Sequence, residues 1–459
     1  MSKHEFWTDE AQAWLIAKDL SIPEIFSAMK YEGHSCLWHL ILHPFAKLGF
    51  PIITLGIISI LFVSIYVFII LFKTKLNIVT KILIVFSPGI FYKLGIISRC
   101  YSLIPFLLGL FYLIYNKRHE RPYLYTLILC LLAHTHIIMC GFVGTAAIIF
   151  LIECFKQKNK DKFKKNIIII LLFTIFLILL LLQIIPSLYN CSIVSNKVIN
   201  DISYLDQIYS YINFYNFKNP LISRVIVIIY LIISIVFTFI NDRKKGIIYT
   251  VFLIIFLVIH LFWIIILLER IAIVFLVFFT LNYDNKNKFV ILLITIISII
   301  NIYSMNYWIY NDIKYSASDS YNASKKIDYI PNDSIILIIN SSRHPSLMAY
   351  LENDIDYYNL NTKRHERYIT WNKVGGRTVT IEEIEKIIRK YEKKYNNIYL
   401  IKSIAWNFYS RNIDSGDIAF TMLLNEGKIK HIYTTSNNIK ESGIEVYYIY
   451  KYINKKRIS

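Results

Sequence analysis

Two runs, Pro51 to Phe72 and Ile167 to Leu182, are apolar and almost free of charge, and they limit what this chain can become more than any other feature. At 1.5 Å of rise per residue, about 20 such residues cross a hydrocarbon layer of ~30 Å. Inside that layer only helices and closed barrels satisfy their own backbone groups. Neither run alternates between apolar and polar positions, so helices are expected. Hydrophobic residues make up 56% of the 459 positions, and the mean hydropathy is +0.48, above the range of soluble domains. Further apolar segments stand at 35 to 49, 76 to 92, 94 to 115, 122 to 154 (long enough for a hairpin), 221 to 240, 246 to 268, 271 to 282 and 289 to 308. The expected class is an α-helical polytopic membrane protein with about 9–11 hydrophobic helices.

A net charge of +19 raises nucleic acid as a partner, and its distribution removes it. The excess lies largely in short loops: Lys73 and Lys75; Lys117, Arg118 and Arg121; the lysines from Lys156 to Lys165; Arg243, Lys244 and Lys245; Lys286 and Lys288. This is the positive-inside pattern. Placing all five clusters in the cytoplasm leaves an even number of crossings between successive clusters. The loops near Tyr92 to Cys100, His134 to His136, Pro186 to Pro220 and Glu269 to Arg270 then face outward, as does everything after about Tyr310. Between 35 and 72 an odd number of crossings is needed and two apolar segments are visible, so one of them is expected to be re-entrant or interfacial. The six cysteines, Cys36, Cys100, Cys130, Cys140, Cys154 and Cys191, show neither paired nor metal-ligand spacing and read as small apolar residues.

Residues 1–33 form neither a span nor a signal peptide: they carry six acids and three lysines. Asp9 to Leu20 reads as a short interfacial helix, with Trp7 and Trp14 suited to a membrane boundary. Residues 34–310 read as the helical bundle, and 311–459 as a small extracytoplasmic α/β domain. Strands are expected at Ser334 to Asn340, Asn397 to Lys402 and Val446 to Tyr452. Thr380 and Glu383 form a capping box ahead of a helix through about Tyr391.

Ionisable residues at membrane depth are costly and point to function. Asp9 and Glu10 are either helix N-terminal charges favoured by the dipole or a general base for a hydroxyl nucleophile. Arg99 lies at the outer end of a hairpin, away from the basic clusters. Its guanidinium suits the paired oxygens of a lipid phosphate, against the plainer reading of snorkelling. Glu269 and Arg270 either pair with one another or lend Arg270 to the same phosphate. His134 and His136 recur at an outer turn without the further ligands a metal needs. Glu32 and His34 precede the first apolar segment on the same face, lining the same cavity or capping the helix. No P-loop, G-x-G-x-x-G or H-E-x-x-H occurs, and no paired broken helices suggest a secondary transporter.

The stretch Trp7 to Ser21 (WTDEAQAWLIAKDLS), followed by Tyr31-Glu32-Gly33-His34 and Leu37-Trp38, resembles the first external loop of bacterial glycosyltransferase superfamily C membrane proteins. These are related to protein O-mannosyltransferases and lipid A aminoarabinose transferases. Ser98-Arg99-Cys100-Tyr101 and Ala133-His134-Thr135-His136 resemble later elements of one branch, so the resemblance covers roughly the first 150 residues. It implies a site on the outer face of a bacterial plasma membrane and a polyprenyl-phosphate sugar as donor. A cell-envelope glycan, lipid or protein is the acceptor. By position Asp9 becomes the base with Glu10 beside it, Arg99 and Arg270 hold the donor phosphate, and Glu32, His34, Tyr101, His134 and His136 line the cavity. Direct attack by the acceptor would invert the anomeric centre. No cofactor is required, and a divalent metal stays open. Members of that superfamily carry a membrane helix ahead of the acidic loop, so a start codon upstream of Met1 is expected, with a truncated, inactive copy as the alternative. A non-catalytic transporter or scaffold of envelope components is the competing reading.

Overall fold

The computed structural model describes residues 4–156, 160–190, 220–263, 268–315, 318–327, 330–339, 344–351, 355–370, 379–405, 415–434 and 445–453. It is mostly helical, with a small sheet near the C-terminus. In chain order the helical part comprises α1 (Thr8–Asp19), α2 (Ile22–Ala28), α3 (Leu37–Lys47), α4 (Ile53–Lys73), α5 (Ile78–Val85), α6 (Pro88–Phe91) and α7 (Leu103–Tyr115). It continues with α8 (Pro122–Ala133), α9 (Met139–Lys156), α10 (Lys160–Asn190), α11 (Pro220–Asn241), α12 (Arg243–Trp263), α13 (Leu268–Asn282) and α14 (Lys288–Tyr315).

Among the described residues three helices are long and apolar enough to cross a membrane: α4, α9 and the Lys164–Ser187 part of α10. The α5–α6 pair forms a fourth candidate, bent by 44°. Pro88 at the start of α6 supplies no amide to continue α5, which is why the apolar segment 76 to 92 breaks there. The remaining apolar helices, including Pro122–Ala133 and Ala272–Asn282, are shorter in their described portions than a full crossing. The segment 122 to 154 is a hairpin, α8 and α9, turning at His134 to Ile138. At 11 residues α3 spans roughly 16 Å, too little to cross. It packs instead along α1, where His43 Nδ1 lies 2.9 Å from the Ala17 carbonyl.

The C-terminal part holds α15 (Ser320–Ile327), β1 (Ser334–Ile339), α16 (His344–Tyr350), β2 (Asp356–Asn359), α17 (Ile381–Tyr391), β3 (Asn397–Ala405), α18 (Ser415–Asn425), β4 (Ile429–Thr434) and β5 (Glu445–Tyr452). The sheet order is β2-β1-β3-β5-β4; β1 is parallel to β2 and β3, whereas β5 runs antiparallel to β3 and β4. Every residue of β1 is buried, as an interior strand of a sheet covered on both faces must be. Ile335, Leu337 and Ile339 meet Ile384 and Ile388 of α17 and Leu423 of α18 on one face. Ile336 and Ile338 meet Leu347 of α16 and Ala323 of α15 on the other.

The helix α1, expected at the membrane boundary, is enclosed by protein. Ala11 to Ala17 are all buried, and Trp14 is 1% exposed. Trp14 and Ala17 pack into the helical core, Leu15 into the sheet's core with Ile336 and Tyr447, and Ile16 into a small cluster with Ile25 and Met29. A helix covered on every side has no polar face, and three alanines let its neighbours approach closely. Polar contacts fasten the same helix to the C-terminal part. The Thr8 amide donates to Glu445 at 2.8 Å, the Phe6 amide to the Tyr350 hydroxyl at 2.9 Å, and Arg367 forks onto Asp19.

Candidate functional site

α1 opens on Trp7 in extended conformation, and the Glu10 carboxylate reaches back to accept the Trp7 amide at 3.2 Å. Glu10 also accepts the Ser98 amide at 2.6 Å and lies 3.1 Å from His4 Nε2. It is fully buried, with its oxygens engaged by these three donors. Glu10, expected beside the base, fixes the loop carrying Arg99 against the first turn of α1. A π-turn over Tyr92–Ile96 delivers that loop, pressed against α4 at Gly95, whose carbonyl accepts from Ser59 at 2.7 Å. A side chain at Gly95 would meet Val63 at 3.4 Å, an ordinary packing contact.

Asp9, one residue before the anchor, stays partly open. Its Oδ2 lies 3.1 Å from Arg99 Nη1, with side chains 28% and 16% exposed. The Arg99 guanidinium lies between two rings, 5.7 Å from Trp7 and 5.1 Å from Tyr101. Aromatic faces hold a guanidinium in place. Tyr101 in turn lies against His136, ring centroids 5.1 Å apart and hydroxyl 3.4 Å from Nε2.

Glu32 and His34 join this cluster from the segment before α3. Glu32 is 8% exposed, accepts from Gln12 Nε2 at 2.8 Å and lies 3.9 Å from His34 Nε2. Burial pushes its carboxyl up to about 7, opposed by the Gln12 bond and by Arg99, and Asp9 adds to the rise. Burial lowers His34 to about 4, and the Ser35 carbonyl acts against that shift. At neutral pH His34 is thus an uncharged ring, and Glu32 exchanges a proton readily.

The two histidines of the α8–α9 turn do different work. His136 belongs to the Arg99 shelf. His134 is turned to packing: Nε2 donates to the Phe176 carbonyl at 2.9 Å, and its own carbonyl accepts from Ser35. Among the described residues no three His, Cys, Asp or Glu groups gather as a metal site. The side chains of Glu269 and Arg270 lie outside the described residues, as does Cys191.

The sequence reading passed over three participants. Gln12 pairs both ways with the backbone of Ile369 (2.6 and 2.8 Å) while holding Glu32. Trp7 floors the guanidinium. His39 is stacked on His34 at 5.4 Å and 13°, with neither ring nitrogen hydrogen-bonded. A polar residue one turn inside an alanine-rich helix is the trace Gln12 leaves in the sequence; Trp7 stands out there only as a boundary tryptophan, and His39 leaves none. Comparison with family models, with curated proteins and with solved structures gives no match.

Proposed function

We propose that this chain is a polytopic membrane glycosyltransferase of the superfamily C type, moving a sugar from a polyprenyl phosphate to a cell-envelope acceptor outside the plasma membrane. The observation that carries the reading is the pair Asp9 and Arg99, 3.1 Å apart on a shelf of Trp7 and Tyr101 beside apolar helices. A base and a phosphate holder in contact suit a reaction that takes a proton at one point and releases an anion at the next.

In the proposed step the acceptor oxygen attacks the anomeric carbon, and the bond from that carbon to the phosphate oxygen breaks. The electron pair leaves on polyprenyl phosphate, and the acceptor proton passes to Asp9. Charge grows on the departing phosphate, where Arg99 stabilises it; terms of this kind dominate such catalysis. An incoming phosphate competes with Asp9 for Arg99, so donor binding itself would loosen the resting ion pair and free the carboxylate. Attack from the face opposite the phosphate inverts the centre.

The segregation of charge supports the placement in the membrane. At one end of the helices Arg118, Glu153 and Lys244 meet, and Tyr112 bridges the Lys73 carbonyl and Asp284. These contacts join Arg118 of one basic cluster to Lys244 of another and bring Lys73 of a third to Asp284, at the opposite end of α7 from Arg99. We assign the basic end to the cytoplasm and the Asp9 end, with the C-terminal α/β part, to the outside. Membranes containing the protein should transfer radiolabel from one member of a panel of polyprenyl-phosphate sugars. Transfer from none of them, by folded protein, would overturn the reading in favour of a non-catalytic scaffold.

A further inference from the structure

A groove of about 280 Å³ runs between the α2 turn and the segment 364–370 of the C-terminal part. Its walls include Tyr31 and Tyr368, half-buried rings, with Glu24 and Arg364 among its polar groups and Glu32 in its lining. The same Glu32 contacts His34 and is held by Gln12, whose amide also pairs with Ile369 in the opposite wall. One carboxylate therefore belongs both to the groove and to the Asp9–Arg99 cluster, whose charges act on it.

We propose that this groove is the acceptor subsite and that its occupant is a saccharide, a sugar ring lying against Tyr31 and Tyr368 with a hydroxyl directed to Glu32. The proposal rests on the transferase reading and narrows its acceptor from glycan, lipid or protein to glycan. Three features favour a sugar. Tyrosine rings offer an apolar face with a polar tip, matching the two kinds of surface on a pyranose. Carboxylates and a guanidinium beside them supply acceptors and forked donors for vicinal hydroxyls. The volume is slightly under the roughly 300–1,000 Å³ of drug-sized sites, room for one or two rings rather than a folded peptide loop. An acyl chain would find charged groups where it needs hydrocarbon. In either protonation state the Glu32 carboxyl can accept a hydrogen bond from a sugar hydroxyl.

The test is saturation-transfer NMR on the full-length protein in nanodiscs, with three free disaccharides as probes: maltose, N,N′-diacetylchitobiose and a uronate-bearing disaccharide. Transfer to the ring protons of one probe is expected in the native protein. It should fall about fivefold or more in Ala28→Trp, which fills the groove, and in Tyr368→Ala, which removes a wall. Glu153→Gln, at the other end of the helices, should leave it unchanged. No transfer to any probe, or undiminished transfer in both groove variants, overturns the proposal. Because the readout is binding, it is independent of the transferase reading, whose failure would appear instead as undiminished turnover in Asp9→Asn.

Discussion

The two ends of α7 carry the same kinds of side chain and use them differently. Past its C-terminus, Arg118 forks onto Glu153 through Nε and Nη2 at 2.7 and 2.8 Å, stacked 4.5 Å from Tyr115. His119 lies 3.0 Å from the same carboxylate, and Lys244 also binds it, leaving Glu153 12% exposed. Ahead of its N-terminus, Arg99 meets Asp9 through Nη1 at 3.1 Å, and Asp9 remains 28% exposed. A carboxylate taken up by an arginine, a lysine and a histidine ring holds helices together. A carboxylate sharing an arginine near an open groove can exchange that partner for a ligand. On the proposed reading, residue type does not distinguish a staple from a reaction centre; saturation does.

Exchanging the carboxylates for amides probes this contrast most strongly. Asp9→Asn should lower sugar transfer by about 10²–10⁴, the usual worth of a general base, while Glu153→Gln should leave turnover per folded molecule within about twofold. Equal losses from both would erase the distinction. Next in size, Arg99→Lys should lower kcat/KM for the lipid-linked donor by about tenfold to a hundredfold, since lysine keeps the charge and loses the fork and the stacking on Trp7 and Tyr101. A kinetic titration with donor reads this directly.

Smaller effects are expected where α1 meets the C-terminal part. Glu445 accepts both the amide and the hydroxyl of Thr8 in a buried setting. Glu445→Gln weakens hydrogen bonds to a charged group and should cost about 1.5–3 kcal/mol. Faster amide exchange over residues 5–12 and a lowered melting temperature are the readouts. The smallest effect is on pH dependence. Burial lifts Glu5 from 4.5 to about 7, with Asp319 and Glu445 adding to the rise and the Tyr321 amide and His4 opposing it. Its folded form thus favours the protonated state, so its stabilisation is complete below about pH 4.5 and is lost as pH rises through about 7. Glu32 acts in the same direction, whereas the lowered His34 costs stability as pH falls from 6.5 towards 4. Between about pH 4.5 and 7 the protection of the N-terminal amides, corrected for base-catalysed exchange, should therefore fall as pH rises, and Glu5→Gln should flatten that slope.

Much of the secondary structure was legible because it rests on local pattern. The apolar segments fall on helices, the 122 to 154 run turns near its two histidines, and Thr380 caps α17 in a capping box with Glu383. β1, β3 and β5 announce themselves through branched and aromatic runs. β2 and β4 did not: Asp-Tyr-Tyr-Asn is too short to show a period, and β4 exposes Lys430, His431 and Ile432 alike. The burial of α1 was illegible for a different reason. Its partners, Glu445, Tyr350 and Ile369, lie hundreds of residues away, and only the tertiary fold shows that its alanines and Trp14 face the helical core while Leu15 faces the sheet's core. Asp9, Arg99, Glu32, His34, Tyr101 and His136 come together in the structure, whereas Glu10 and His134 look equally suited in sequence and are spent on anchoring. Which member of an acidic or histidine pair remains open depends on what its neighbour has already bound, and that is a property of the fold.

The most direct test is radiolabel transfer from polyprenyl-phosphate sugars by membranes carrying the native protein, Asp9→Asn or Glu153→Gln, each normalised to folded protein. The account predicts transfer by the native protein and by Glu153→Gln, with none above background from Asp9→Asn. Transfer by Asp9→Asn at the native rate would contradict it and leave the Asp9–Arg99 pair as a structural contact like its counterpart at the other end of α7.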